Sequence, residues 1–103
     1  MSHGLHPLLA SVRLERAALT KARRIEHCRV FSHAPCGMPE APPGWRLWAE
    51  NLAYGYRTPL ATFRAWMRSP EHRANILNPR LRWFGSACVQ GFYRFLWTVD
   101  LGA

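Results

Sequence analysis

Apolar positions repeat with a helical period near the start of the chain. Leu14, Ala18, Ala22 and Ile25 step by four, four and three, which lays one apolar stripe along a helix. Pro7 suits a first helical position, so the pattern predicts a helix from about residue 7 to Cys28. Arg13, Arg16, Lys21, Arg23 and Arg24 mostly fall off that stripe, and the small alanines predict close packing against another layer. Residues 33–44 carry Pro35, Gly37, Pro39, Pro42, Pro43 and Gly44 and read as a loop. Residues 45–56 are compact, aromatic and mostly apolar, with one carboxylate, Glu50, in the middle and Gly55 as a stop.

Thr58-Pro59 and Ser69-Pro70 both carry a helix start signal, a capping hydroxyl followed by proline at the first helical position. They predict a helix to about Arg68, burying Leu60, Phe63, Trp66 and Met67, then a short one from Glu71 to Leu77 that Asn78-Pro79 ends. His72 then sits on a freshly started turn. The period changes in the last quarter. Trp83–Val89 and Phe92–Val99 are rich in β-branched and aromatic residues and are separated by Gln90-Gly91, which predicts a β-hairpin with both strands covered by helices. Helices first and hairpin last indicate an α+β fold, with helices packed on a small antiparallel sheet.

At 103 residues the chain has room for one core, so a single domain is expected over 1–103. Apolar residues make up 49% and aromatics 13%, enough to exclude global disorder. No apolar run is long enough to form a transmembrane segment. Met1–Pro7 has neither the charged start nor the apolar stretch of an export signal, so no signal peptide is read here. Fourteen basic residues against six acidic ones give a formal charge of +8, which favours anionic partners: nucleic acid, anionic lipid or acidic wall polymers. The basic residues are scattered rather than massed, so nucleic-acid binding is not the expected main function.

Three cysteines, Cys28, Cys36 and Cys88, permit three single bridges and always leave one thiol over. Cys28 and Cys36 bracket a short loop with a Pro-Cys-Gly turn. A bridge there closes a loop of about nine residues and adds roughly 2–3 kcal/mol in the chain-entropy picture. Three buried thiols in a reducing cytosol are the alternative. The bridge, and with it an oxidising compartment, is the expectation.

Three polar groups stand out against apolar neighbours: His33, Glu50 and His72. A carboxylate among so many aromatics is costly to bury unless paired, and imidazoles are natural partners. Two histidines and a glutamate that converge can hold a divalent ion such as Zn2+, with water completing the shell. Neither His-Glu-x-x-His nor Cys-x-x-Cys spacing is present, so the pattern leaves open that each histidine is simply a hydrogen-bonded core residue. Ser32 and Ser69 lie near histidines but in no nucleophile-elbow sequence, and Ser69 is better read as a helix cap. Arg73 and Asn75 follow His72 on the same turn and read as hydrogen-bonding to nearby loops. The five tryptophans read as core.

Several stretches resemble the bacterial branch of the CAP superfamily (cysteine-rich secretory, antigen 5 and pathogenesis-related proteins, also called SCP-like). Gly4-Leu5-His6-Pro7-Leu8, followed by Leu14 and Ala18, resembles that family's first helix. Phe31-Ser32-His33 and Glu50-Asn51-Leu52-Ala53-Tyr54-Gly55 are similar to its Phe-Ser-His and Glu-Asn-(Ile/Leu)-Ala-x-Gly motifs. Most specific is the stretch from Trp66 to Leu77, similar almost letter for letter to Trp-Met-x-Ser-Pro-x-His-Arg-x-Asn-Ile-Leu. Trp97-Thr98-Val99-Asp100-Leu101-Gly102 resembles its last strand.

The resemblance implies an α-β-α sandwich with a central cleft lined by His33, His72 and Glu50. In the family that cleft has been linked to zinc-like ions in some members, while others bind sterols or further lipids elsewhere. Larger eukaryotic members carry a second glutamate where Ser69 stands here, which leaves the metal set short of a fourth ligand. The family's usual His-Asn-x-x-Arg opening has no counterpart, so a start truncated relative to the family is expected. The reading that follows is a secreted or cell-envelope binding module, without catalytic residues, for a lipid or an anionic wall polymer. Its binding residues are His33, Glu50, Ser69, Glu71, His72, Arg73 and Asn75, and Zn2+ on His33, His72 and Glu50 is the candidate cofactor. The alternative is a metal-dependent hydrolase, in which bound water is activated by the metal. Glu71 is then the only other nearby acid, because Glu50 cannot serve as both ligand and base.

Overall fold

In a computed structural model, residues 8–103 are described. Strand β1 (Leu9–Ala10) leads into helix α1 (Val12–Cys28), and a single 3-10 turn at Pro35–Gly37 interrupts the long loop that follows. Strand β2 (Trp48–Tyr54), helices α2 (Pro59–Met67) and α3 (Pro70–Leu77), and strands β3 (Trp83–Gly91) and β4 (Arg94–Gly102) complete the order. The sheet runs β1-β3-β4-β2, parallel only between β1 and β3. The expectation that the first helix starts near Pro7 is corrected at Leu9 and Ala10, which pair with Trp83 and Phe84. Pro7 itself lies outside the described residues, as does most of the Gly4–Leu8 motif.

Helix α1 begins where a cap permits. The Ser11 hydroxyl accepts from Leu14 N at 3.2 Å, and Arg29 in the left-handed region ends the helix with its amide bonded to the Ile25 carbonyl. Leu14, Ala18, Ala22 and Ile25 are all fully buried. Lys21, expected off the stripe, is buried with them, only 2% exposed. The buried face in fact takes in 14, 18, 21, 22 and 25, and position 21 holds a charge where an apolar residue would ordinarily stand.

The sheet separates two layers. On one face Ala22 and Ile25 of α1 pack on Leu52 and Leu96. On the other, Trp66 of α2 and Ile76 of α3 pack with Ala53, Val99 and Leu101. The expected α-β-α sandwich is present. The aromatic segment around Glu50, left without a type from its pattern, is an edge strand whose alternate residues face the two layers. Helix α2 starts on Thr58 as expected, its hydroxyl accepting from Ala61 N at 3.1 Å. Its buried face differs from the expected one: Thr62 and Trp66 are buried, whereas Leu60 is 56% and Phe63 46% exposed. The hairpin turn is Phe92-Tyr93, two residues later than expected, with Gly91 paired to Arg94. The carboxylate of Glu26, on α1, accepts from the amides of Phe92 and Tyr93 and holds that turn down. Strand β4 is interior; β3 packs against α1 at Gly85 but keeps Trp83, Ser86 and Cys88 exposed, so helices cover it only in part.

Cys28 and Cys36 form the disulfide and Cys88 is the thiol left over. No described helix is long and apolar enough to cross a membrane.

Helix α1 approaches β3 at Gly85, where a Cβ would overlap the backbone of Leu14 and Glu15. Neither backbone can yield without moving the helix off the sheet. Gly85→Ala is therefore expected to cost about 3 kcal/mol or more, at the upper end of overpacking effects. Urea denaturation checks this, and an unchanged midpoint would show that the contact is looser than described.

Candidate functional site

Neighbouring residues on a strand point to opposite faces, and this divides the expected site in two. Glu50 points to α1. Its Oε1 accepts from Lys21 Nζ at 3.1 Å and lies 2.8 Å from His33 Nδ1. Asn51 points to α3. Its amide donates to the His72 carbonyl at 3.0 Å, and its Oδ1 accepts from Asn75 at 2.8 Å. Asn75 also donates to the Glu50 carbonyl at 3.4 Å. His33 therefore belongs with the α1 set and His72 with the α3 set, with the open edge of β2 between them.

On the α3 side, Ser69 takes the backbone conformation of a helix cap, but its hydroxyl meets His72 Nδ1 at 2.8 Å instead of a helix amide. His72 and Ser69 line a hollow of about 260 Å³ with Phe31, Tyr54, Tyr56 and Trp66. Phe31 packs edge-on to Tyr54, ring centroids 4.8 Å apart, and so brings the Phe-Ser-His loop to the same edge of the sheet. Of the remaining expected binding residues, Asn75 is tied to β2, while Glu71 and Arg73 are exposed and make no side-chain ion pair among the described residues.

On the α1 side lies a cluster that the sequence reading missed. Lys21 Nζ donates to three acceptors: Glu50 Oε1, the Glu40 carbonyl at 3.0 Å and the His33 carbonyl. An ammonium has three donors, so all are used. Asp100, 1% exposed, is the cross-strand partner of Glu50. Burial, then the neighbouring Glu50 carboxylate, push Asp100 up to about 9. It is therefore the protonated member of the pair at neutral pH, facing the Glu50 carboxylate across the two strands. Burial alone would raise Glu50 as well, but hydrogen bonds from His33, Asp100 and Lys21 outweigh it and hold Glu50 below its ordinary range. One proton and one negative charge are thus shared by the two carboxyls, facing one ammonium. A signal was available: Lys21 and Asp100 are the chain's single lysine and single aspartate.

The expected metal set is divided by the sheet, with His33 and Glu50 on the α1 side and His72 on the α3 side. Among the described residues, no three His, Cys, Asp or Glu side chains gather as they would around a metal ion. Glu50 Oε1 is already occupied by an ammonium and an imidazole, and a second cation there would meet Lys21 at short range.

A second hollow, about 310 Å³, opens between α1 and residues 38–43. Arg13, Arg16 and Thr20 line it on the helix side and Glu40 on the loop side, and Lys21 and Asp100 also contribute to its wall. Arg13 is held in place: its guanidinium lies 5.4 Å from the ring centroid of Trp45. It also passes so close to Gly44 that a Cβ there would stand 2.6 Å from its Nη2.

A sheet with one helix on one face and two on the other, together with a histidine–glutamate pair at its edge, defines a domain of the CAP or SCP type. Solved structures agree on the fold. An outer surface protein from Borrelia burgdorferi superposes with a TM-score of 0.84 at 21% identity, over 98% of this chain and 80% of that one. An extracellular protein containing an SCP domain from Bacillus anthracis gives 0.82 at 22% identity, over 98% of this chain and 35% of that one. The profile of the cysteine-rich secretory protein family, CAP, matches residues 1–101, and the chain belongs to that family. It is also similar to the uncharacterized protein YkwD of Bacillus subtilis, 32% identical over 94 residues. That match takes in 84% of this chain and 37% of YkwD, so the chain spans little more than a third of that relative's length.

The titration of Asp100 has a sign that can be tested. Its folded value lies far above its ordinary 3.8. Its contribution to stability is therefore complete below about pH 4 and is lost as pH rises towards about 9. Glu50 works oppositely, contributing above its ordinary value and losing the contribution as pH falls. Asp100→Asn keeps the shape and a donor but has no proton to lose. Between about pH 5 and pH 8.5, wild-type stability is expected to fall relative to the variant, measured by urea denaturation at several pH values. A constant difference across that range would show that Asp100 is ionised throughout.

Proposed function

We propose that this domain is a non-enzymatic binding module of the cell surface or exterior, and that it recognises an anionic envelope polymer through the hollow beside α1. The observation that carries this reading is the placement of Arg13 and Arg16. The two lie one helical turn apart and line one cavity, with the Arg13 guanidinium set over the Trp45 ring. A guanidinium fixed before binding loses less freedom when it takes up a phosphate or carboxylate. The formal charge of +8 adds long-range attraction for such a ligand. The Cys28–Cys36 disulfide suits an oxidising exterior. Against catalysis stands the cluster itself: Glu50 and Asp100 are buried beside each other, Glu50 is already bonded to Lys21, and neither presents a free base to a substrate.

A soluble poly(glycerol phosphate) is the probe. Arg13→Gln with Arg16→Gln is expected to weaken its binding by about tenfold or more, two charge-assisted contacts being lost. Arg23→Gln with Arg24→Gln removes the same charge from the same helix, outside the cavity, and is expected to cost less than about threefold. Equal losses in the two pairs would reduce the reading to general electrostatics, and no binding by wild type would end it.

An apolar ligand is favoured by a different observation. A hollow of about 260 Å³ between α2 and the sheet is lined almost wholly by apolar groups, among them Phe63, Trp66, Phe84 and Trp97. A medium-chain fatty acid should shift the tryptophan emission of the wild type, and Phe63→Asp should abolish the shift. An unchanged spectrum in the wild type removes this second reading.

A further inference from the structure

The chain uses arginine thirteen times and lysine once, and the one lysine is the cation buried against Glu50. The choice has a chemical reason. A guanidinium is a planar fork of five donors that suits two-pronged partners, whereas an ammonium is a compact charge with three diverging donors. The acceptors around Lys21 Nζ are three oxygens from three separate segments: His33 and Glu40 carbonyls from the loop and the Glu50 carboxylate from β2. A convergent shell of carbonyl and carboxylate oxygens is also what a hard divalent cation takes as its ligands. His33 Nδ1 reaches the same carboxylate oxygen from its exposed side, its side chain 44% accessible.

We infer that the Lys21 ammonium is a built-in cation, seated where a metal ion would otherwise be held by Glu50 and His33, and that the domain keeps this site closed to divalent metals. The charge already balances: one ammonium faces one carboxylate and a neutral carboxyl, so a metal would add two positive charges to a neutralised cluster. The same ammonium ties the 33–40 loop to the sheet, a task that an exchangeable ion would perform only while bound. This inference is independent of the anion-binding reading, since Arg13 and Arg16 take no part in it.

The test is calorimetric titration with zinc alone of the wild type, His33→Ala and Lys21→Ala. His3, His6, His27 and His72 are common to all three and supply a shared background. Wild type and His33→Ala are expected to bind zinc alike, within about twofold; a loss of about tenfold in His33→Ala overturns the inference. That comparison stands whether or not Lys21→Ala folds, because the His33 side chain is half-exposed and its truncation leaves Lys21 and its acceptors in place. Where circular dichroism shows Lys21→Ala folded, its zinc affinity is expected to exceed the wild type's by about tenfold or more, and cobalt(II) should give a visible absorption band that the wild type lacks. A folded Lys21→Ala with wild-type affinity overturns the inference as well.

Discussion

A charged amine cannot leave water unless every one of its donors is met, and the fold of this domain is arranged to meet those of Lys21. The three acceptors come from the 33–40 loop and from β2, while the amine comes from α1. Three parts of the chain with no local reason to meet are thereby held to one point. Glu50 in turn needs the Asp100 proton beside it, because two ionised carboxyls on adjacent strands would not both be neutralised by one ammonium. Loss of any one of these groups strands the others, and the loop carrying His33 is fastened to the sheet mainly through them. The Cys28–Cys36 bridge closes the same loop by a covalent route.

The sheet works as a partition. Because side chains alternate, one short motif, Glu50-Asn51, serves both layers: a charge network towards α1 and an amide network towards α3. His33 and His72, equivalent in a reading of the sequence, therefore have different tasks. His33 covers a buried carboxylate, and His72 lines a hollow with Ser69 and the aromatic edge. The basic hollow beside α1 is a third region, bordered by the buried cluster and shaped by Arg13 on Trp45.

Element types were legible wherever the signal was local. Thr58-Pro59 and Ser69-Pro70 start helices because proline's fixed φ acts within one turn, joined at Thr58 by a capping hydroxyl. The stripe of α1 was readable from its spacing. The type of the Glu50 segment was not, because it has apolar residues on both sides and no clean alternation, as a strand between two layers does. The hairpin turn fell two residues away from Gln90-Gly91 because Glu26, far off in sequence, fastens Phe92 and Tyr93. Leu60 and Phe63 were expected inside since they are apolar, yet the residues facing the sheet are Thr62 and Trp66.

By itself the sequence determined the family, the α+β order of elements and the residues to watch, because motifs, caps and periodicity are properties of neighbouring positions. Tertiary structure alone decided what those residues do. Burial of Lys21 and Asp100 depends on which segments meet, and no spacing between positions 21, 33, 50 and 100 encodes it. A lysine reads as a solvated charge until the surrounding oxygens are known. Once they are, it is the cation of the site.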